Sequence, residues 1–259
     1  VYQPRRIREP ENLDILKQYQ PDAIVVVAFG QLIPESILEL PAYGCINVHA
    51  SLLPSYRGAA PIQWAVINGE RESGVTTMRM NAGLDTGDIL LKETVELAPD
   101  ETGGSLFERL SWIGSKLLIR TLKELEQGTI IPEKQPADSP TPYACMLKKE
   151  MGRIDWTKSA KEIECLIRGL NPWPSAYTRY KGKTLKIWSA SVCGRDCGDK
   201  DPGMIVEVTK QTIRVQTGDG LLELKELQLE GKKRMETDAF LRGYPVVEGE
   251  CFDLMGEER

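Results

Sequence analysis

The chain has 259 residues and a net charge near −5, long enough for two domains and too acidic for a polybasic nucleic-acid wrapper. It holds no apolar run long enough to span a membrane and no secretion signal. Its six cysteines, at 45, 145, 165, 193, 197 and 251, never form Cys-x-x-Cys. Reduced thiols, no metal site, no membrane association and a cytoplasmic (bacterial-type) or organelle-matrix location are therefore expected.

The chain opens at Val1 without Met, in what reads as a strand tail and loop, so a fragment or processed protein is expected. Residues 9–18 carry a helical pattern in which Leu13 and Leu16 share a face. Residues 23–28 form an apolar, β-branched run, the mark of a strand buried on both faces, and end in Phe29-Gly30. Pro34 opens a short helix, and 44–48 is a second buried strand. A helix at 60–66 follows the Pro54–Gly58 loop. Strands at 75–80 and 89–92 come next, the latter less buried. Residues 102–127 form a long amphipathic helix on Leu106, Leu110, Ile113, Leu117 and Leu118.

This alternation predicts a doubly wound, parallel α/β domain with its crevice at the carboxyl ends of the strands. Phe29-Gly30, His49 and the loop after Met80 should converge there. Prolines 132, 136, 140 and 142 interrupt any periodicity and predict a linker over 128–149. A helix at 159–167 capped by Ser159 follows. Short strands at 176–180, 184–189, 203–208, 212–216 and 221–229 with glycine turns then predict a small OB-like β-barrel. The predicted domains are 1–127, a linker at 128–149, and 150–259.

His49 is the sole histidine. Asn47 and His49 are two apart on an extended segment and point the same way, offering an amide and an imidazole to an oxyanion. A turn-forming Asn beside a backbone-bonded His is the competing reading. Asp85, in Asn81-Ala82-Gly83-Leu84-Asp85-Thr86-Gly87-Asp88, is placed to orient His49 or take a proton. Its competing role is an Asx-turn, for which Asp88 is the better candidate. Ser51 has no Gly-x-Ser-x-Gly elbow around it. Direct acyl transfer to an external nucleophile therefore fits better than a hydrolytic triad. With one imidazole available, the rate should titrate between roughly pH 5 and 8.

Arg57 suits either an anion clamp or a tie to loop carbonyls. Trp64, Trp156, Trp173 and Trp188 are read as packing residues rather than base-stacking platforms. Lys232, Lys233 and Arg234 suit a phosphate backbone and a solvated surface equally.

Several runs closely resemble the methionyl-tRNA formyltransferase family. They are Gly44-Cys45-Ile46-Asn47-Val48-His49-Ala50-Ser51-Leu52-Leu53-Pro54, Arg57-Gly58-Ala59-Ala60-Pro61-Ile62-Gln63 and Gly83-Leu84-Asp85-Thr86-Gly87-Asp88. Arg153-Ile154-Asp155-Trp156, Asn171-Pro172-Trp173-Pro174, Thr217-Gly218-Asp219-Gly220 and Gly231-Lys232-Lys233 extend the resemblance over nearly the whole chain. The Asn/His/Asp set is shared by the wider superfamily that uses 10-formyltetrahydrofolate; the late Gly-Lys-Lys segment favours the tRNA enzymes.

The resemblance implies an α/β fold in which a partial Rossmann-like formyltransferase domain precedes a small OB-like β-barrel. It implies formyl transfer from 10-formyltetrahydrofolate to the α-amine of initiator methionyl-tRNA, for translation initiation, by a monomer. Asn47 and His49 would hold the formyl oxygen; Asp85 would keep His49 charged and oriented and help remove the amine proton. Folate would sit against Val27, Ala28, Phe29 and Gly30 and against Leu84, Thr86 and Gly87. Ser51, Leu52, Leu53, Pro54 and Arg57 would form the substrate loop, and Lys232, Lys233 and Arg234 would meet tRNA. Alternatives are the same chemistry on an amino sugar nucleotide, or a non-catalytic RNA-binding protein. The family's opening strand, Gly-Thr-Pro loop and basic insertion loop are not found, so an N-terminally incomplete catalytic domain with exposed apolar edges is expected.

Overall fold

Periodic runs become secondary structure in the order expected, in a computed structural model that describes residues 1–194, 198 and 200–252. Cys197, and with it any pairing to Cys193, lies outside the described residues. The elements are α1 (Pro10–Gln18), β1 (Ile24–Val27), α2 (Glu35–Leu38), β2 (Cys45–His49), α3 (Pro61–Ile67), β3 (Glu72–Arg79), β4 (Asp88–Glu96) and α4 (Gly103–Glu126). A 3-10 turn (Lys149–Gly152), α5 (Ala160–Gly169), β5 (Ala176–Tyr180), β6 (Lys183–Cys193), β7 (Ile205–Val208), β8 (Ile213–Gln216), β9 (Leu221–Leu229), β10 (Met235–Glu236) and α6 (Thr237–Gly243) follow. Two compact units result: Val1–Ile62, Arg71–Leu97 and Leu106–Met146 form one, and Gln63–Glu70, Ala98–Ser105 and Leu147–Arg259 the other.

The first unit holds a sheet of order β1-β2-β3-β4. Only β1 and β2 are parallel; β3 runs antiparallel to both its neighbours. The wholly parallel sheet expected from the sequence is therefore corrected to a mixed one. For β3 and β4 the reason is length, because residues 80–87 are too few for the crossover that a parallel pair requires. Strand β3 starts earlier than predicted, at Glu72, and β4 runs past its predicted end to Glu96, since the ladder continues through Glu93 and Glu96 where side-chain pattern is uninformative.

One face of the sheet packs on α4. Thr77 and Thr121 hydroxyls bond at 2.8 Å, and a Cβ on Gly114 would lie 3.1 Å from Val48. The other face carries Val26, Cys45, Asn47, His49, Thr76 and Met78, by the register of β1, β2 and β3. Residues of α1 and α2 cover Val26 and Cys45 on that face, leaving Asn47 and His49 beyond their edge of cover. On β1, at the sheet edge, Val25 and Val27 are exposed.

The second unit holds an antiparallel sheet of order β5-β6-β9-β8-β7, with β10 added to β9. Register shifts around Ser189 bend the long β6–β9 pair. No ladder joins β5 to β7 among the described residues, so the expected closed barrel is not seen. Helix α5 starts as predicted at Ser159, whose hydroxyl accepts from the Glu162 amide while Glu162 returns a bond to the Ser159 amide at 3.0 Å.

Helix α6 is too short to show a period; it is held by Phe240 in the core and by Thr237 donating to the Leu224 carbonyl at 2.7 Å. Trp156 is fully buried, stacked on Phe252 with ring centroids 5.2 Å apart, and donates to Thr178 at 3.1 Å. Trp173, read as a packing residue, is instead 54% exposed in the proline-flanked turn before β5.

Candidate active site

Parallel pairing sets Val27 beside Val48, so the carboxyl ends of β1 and β2 bring Ala28 alongside His49. Strand β3 ends at the opposite side: Arg79 pairs with Ile46, ~10 Å back along β2 from His49 at the usual strand rise. Two of the three predicted strand ends thus meet through topology alone. Asp85 arrives because the loop after β3 folds back, placing its Oδ1 3.8 Å from His49 Nδ1. Its Oδ2 accepts from the Gly58 amide at 2.9 Å.

The imidazole is 6% exposed and is held on both sides. Its Nε2 lies 3.0 Å from the Tyr56 carbonyl. A carbonyl only accepts, so Nε2 carries the proton and donates. The Nδ1 atom then faces the Asp85 carboxylate. At 3.8 Å the two are in ion-pair range rather than hydrogen-bond range. Asn47, half-buried on the same face, enters none of the hydrogen bonds described around this site.

Ala28, Tyr56 and Asp85 all adopt left-handed backbone conformations, with φ of 49°, 57° and 53°. Each costs on the order of 1–3 kcal/mol for a non-glycine residue and persists only where the surroundings demand it. The demand is visible for two of them. The Tyr56 amide donates to Thr141 Oγ1 at 2.6 Å, and the Gln135 side-chain amide donates to the carbonyls of Asp85 (3.0 Å) and Gly87 (2.7 Å).

The loop that carries Tyr56 is tied down along its length. Thr76 Oγ1 donates to the Ser51 carbonyl at 2.7 Å and accepts from the Leu53 amide at 3.1 Å. Ser51 is buried and donates to the Ser55 carbonyl, so its hydroxyl is engaged in the turn. Leu53 packs with Met78 and Ile89, while Leu52 lies against Gly74. Ser139 donates to the Pro54 carbonyl at 2.9 Å. The Ala144 amide donates to the Arg57 carbonyl, and the Ala60 amide to the Ala144 carbonyl. Gly58, at φ +128°, sits where a Cβ would fall 2.6 Å from the Ala144 carbonyl oxygen.

Arg57 points inward. Its guanidinium donates to Gln135 Oε1 at 3.1 and 2.9 Å and to the carbonyls of Ala137 and Pro136. This is the loop-tying geometry among the two that the sequence left open. Gln135, Ser139, Thr141 and Ala144 escaped the sequence reading altogether, because an aperiodic, proline-rich stretch gives no cue about which residues turn inward.

In the 81–87 loop, Asn81 makes the Asx-type turn, accepting from the Gly83 amide at 3.0 Å and the Thr86 hydroxyl at 2.9 Å. Asp88, the better candidate by sequence, opens β4 instead. Gly87 passes so close to the Arg79 carbonyl that no side chain fits there. Leu84 is 55% exposed in this loop and Phe29 43% exposed after β1. Cys45, at the start of β2, is pushed up to about 11 by burial, so no thiolate competes as nucleophile near His49.

In the second unit, Lys232 and Lys233 are exposed. Arg234 pairs with Glu226 and lies 4.7 Å over the ring of half-buried Trp188. Among the described residues, no cluster of His, Cys, Asp and Glu has the make-up of a metal site, and no helix is long and apolar enough to cross a membrane.

A sequence profile for formyl transferases matches residues 1–122, and one for the formyl transferase C-terminal domain matches residues 146–245. The chain is 59% identical to the methionyl-tRNA formyltransferase of Agathobacter rectalis, over 98% of its own length and 81% of the relative's. In fold it is similar to HypX from Aquifex aeolicus in complex with tetrahydrofolic acid (TM-score 0.64, 19% identity, 95% of this chain and 45% of that one). It is likewise similar to an N-formyltransferase from Helicobacter canadensis in complex with folinic acid and dTDP-3-aminofucose (TM-score 0.61, 20% identity, 80% of this chain and 71% of that one). The expectation of a catalytic domain lacking its N-terminal part is overturned by the first profile, which matches from residue 1. Matched by both domain profiles and by near relatives along almost its whole length, the chain belongs to the methionyl-tRNA formyltransferase family.

Proposed function

We propose that this enzyme transfers the formyl group of 10-formyltetrahydrofolate to the α-amine of initiator methionyl-tRNA, the modification that precedes translation initiation, with Asn47, His49 and Asp85 as its chemical groups. The observation that carries the reading is the two-sided grip on the lone imidazole beside the Asn47 amide. Protonated at Nδ1, His49 is a cation held between the Tyr56 carbonyl and the Asp85 carboxylate. Asn47, two residues back on β2, adds a neutral donor on the same face. Together they stabilise negative charge developing on a carbonyl oxygen. Asp85 keeps the ring charged and oriented and, through its remaining lone pairs, accepts the proton that the attacking amine must lose.

The folate donor supplies the activated formyl group. Exposed Phe29, Val27 and Leu84 suit a flat heterocycle, and the backbone of 28–30 and 84–87 suits its donors and acceptors. Leu52, Leu53, Pro54 and Arg57 shape the substrate loop around them. Residues 1–127 carry this chemistry, and 128–149 both lead to the second domain and hold these loops through Gln135, Ser139 and Thr141. Residues 150–259 form an OB-like tRNA-binding domain in which Lys232, Lys233 and Arg234 meet phosphates. The enzyme acts as a cytoplasmic or organelle-matrix monomer.

The fold is shared with the protein bound to dTDP-3-aminofucose, so fold alone does not separate the two amines; the 59% identity supports the tRNA. The test offers methionyl-tRNA and a dTDP-linked amino sugar side by side with 10-formyltetrahydrofolate. Formylation of the tRNA alone is expected, and preference for the sugar amine would reverse the assignment. His49→Ala should lower kcat by ~10²–10³, the scale of losing an oxyanion-hole donor, while the protein stays folded.

A further inference from the structure

We propose that Gln135 is a positioning residue for this chemistry: one side-chain amide joins the two arms of the clamp on His49 and sets where Asp85 stands. The inference rests on the roles assigned above to His49 and Asp85.

Four of its contacts carry the argument. Its Nε2 donates to the carbonyls of Asp85 and Gly87, and its Oε1 accepts from Arg57 Nε and Nη2. A primary amide has two donor hydrogens and two acceptor lone pairs, so Gln135 is fully engaged. On one side it holds the backbone of Asp85 at a positive φ that the local sequence does not favour. On the other it holds Arg57, whose chain neighbours Tyr56 and Gly58 touch His49 Nε2 and Asp85 Oδ2 respectively. Both ring nitrogens of His49 thus depend on a residue that contacts neither the ring nor the carboxylate.

The chemistry of the side chain is specific. Glutamate at this position still accepts from Arg57 but has no hydrogens for the two carbonyls, which would face a carboxylate instead. Methionine keeps the length and loses both functions. Gln135→Glu and Gln135→Met should each lower kcat by ~10–100-fold, the range for loss of an outer partner that orients a reactive group. KM for methionyl-tRNA should stay within about two-fold, because the interaction lost is one that shapes the transition state. KM for the folate should rise, because Asp85 and Gly87 lie in the backbone proposed to meet it.

Because His49 is the only imidazole, its ring protons can be titrated by proton NMR without assignment. The midpoint should move by about half a pH unit or more in Gln135→Met, which adds no charge of its own. The same substitution should not move it in an Asp85→Asn background, where the carboxylate it positions is gone. Arg57→Lys, which loosens the grip on Gln135 but leaves its amide intact, should give a weaker version of the same kcat loss.

Folding is checked by thermal unfolding of each variant; should Gln135→Glu not fold, Gln135→Met and Arg57→Lys carry the same test. Full kcat and an unmoved His49 titration in a folded Gln135 variant would overturn the positioning role, provided His49→Ala is impaired. Full activity in His49→Ala would instead overturn the underlying assignment of the site.

Discussion

The two compact units hold themselves together by different means. The second is built on one continuous apolar cluster, with Trp156, Ile163, Leu185, Leu224, Phe240 and Phe252 all in it. In the first, groups such as Val26 with Ile37 and Cys45, and Leu53 with Met78 and Ile89, are smaller. What fixes its loops is a web of side-chain to backbone hydrogen bonds from Thr76, Gln135, Ser139 and Thr141. Apolar packing tolerates small shifts of its members, whereas hydrogen bonds fix direction. A site that must hold an imidazole between a carbonyl and a carboxylate therefore belongs in the second kind of environment. Substitutions in the apolar cluster should act on stability, and those in the web on rate.

The largest stability effect tests this division directly. Trp156→Ala removes the indole stacked on Phe252 and leaves the Thr178 hydroxyl without its donor, and should destabilise by ~3–5 kcal/mol in urea titrations. A loss of stability below about 1 kcal/mol there would break the contrast. At the temperature where the variant is still folded, its kcat should be close to normal, the reverse of His49→Ala.

Ser159→Ala is smaller, at about 1 kcal/mol, because it removes one cap of a helix whose buried face remains packed. The smallest effect is complete near neutrality and fades in acid. Burial pushes the Glu164 carboxyl up, but hydrogen bonds from Arg168 and Lys161 outweigh it and hold the group below the usual range. Its contribution is therefore complete above the ordinary carboxylate pKa and lost as pH falls through the depressed one. Unfolding followed at decreasing pH should show an acid loss of stability that shrinks in Glu164→Gln. An unchanged acid profile in that variant would remove Glu164 from the account.

Much of the site could be read in advance because its first two members are local. Asn47 and His49 share a strand, and a period of two puts them on one face whatever the sheet does around them. Ser159 was legible for the same reason, since a capping box is written within four consecutive residues. Asp85 was named, but the route by which it reaches His49 was not. A converging set of parallel strand ends was expected, and an antiparallel β3 with a returning loop does the work instead. Arg57 had two equal readings until Gln135 and the carbonyls of Pro136 and Ala137 closed around it.

The sequence alone determined the order of the main elements, the shared face of Asn47 and His49 on β2 and the resemblance that names the reaction. All of these rest on patterns a few residues long, or on runs of residues matched one by one. Tertiary structure decided the direction of β3, the open sheet of the second unit and the Gln135 bridge. That bridge joins residues 78 and 50 positions apart, from Gln135 to Arg57 and to Asp85. No local periodicity encodes such pairings, because they follow from which folded segments come to lie against each other.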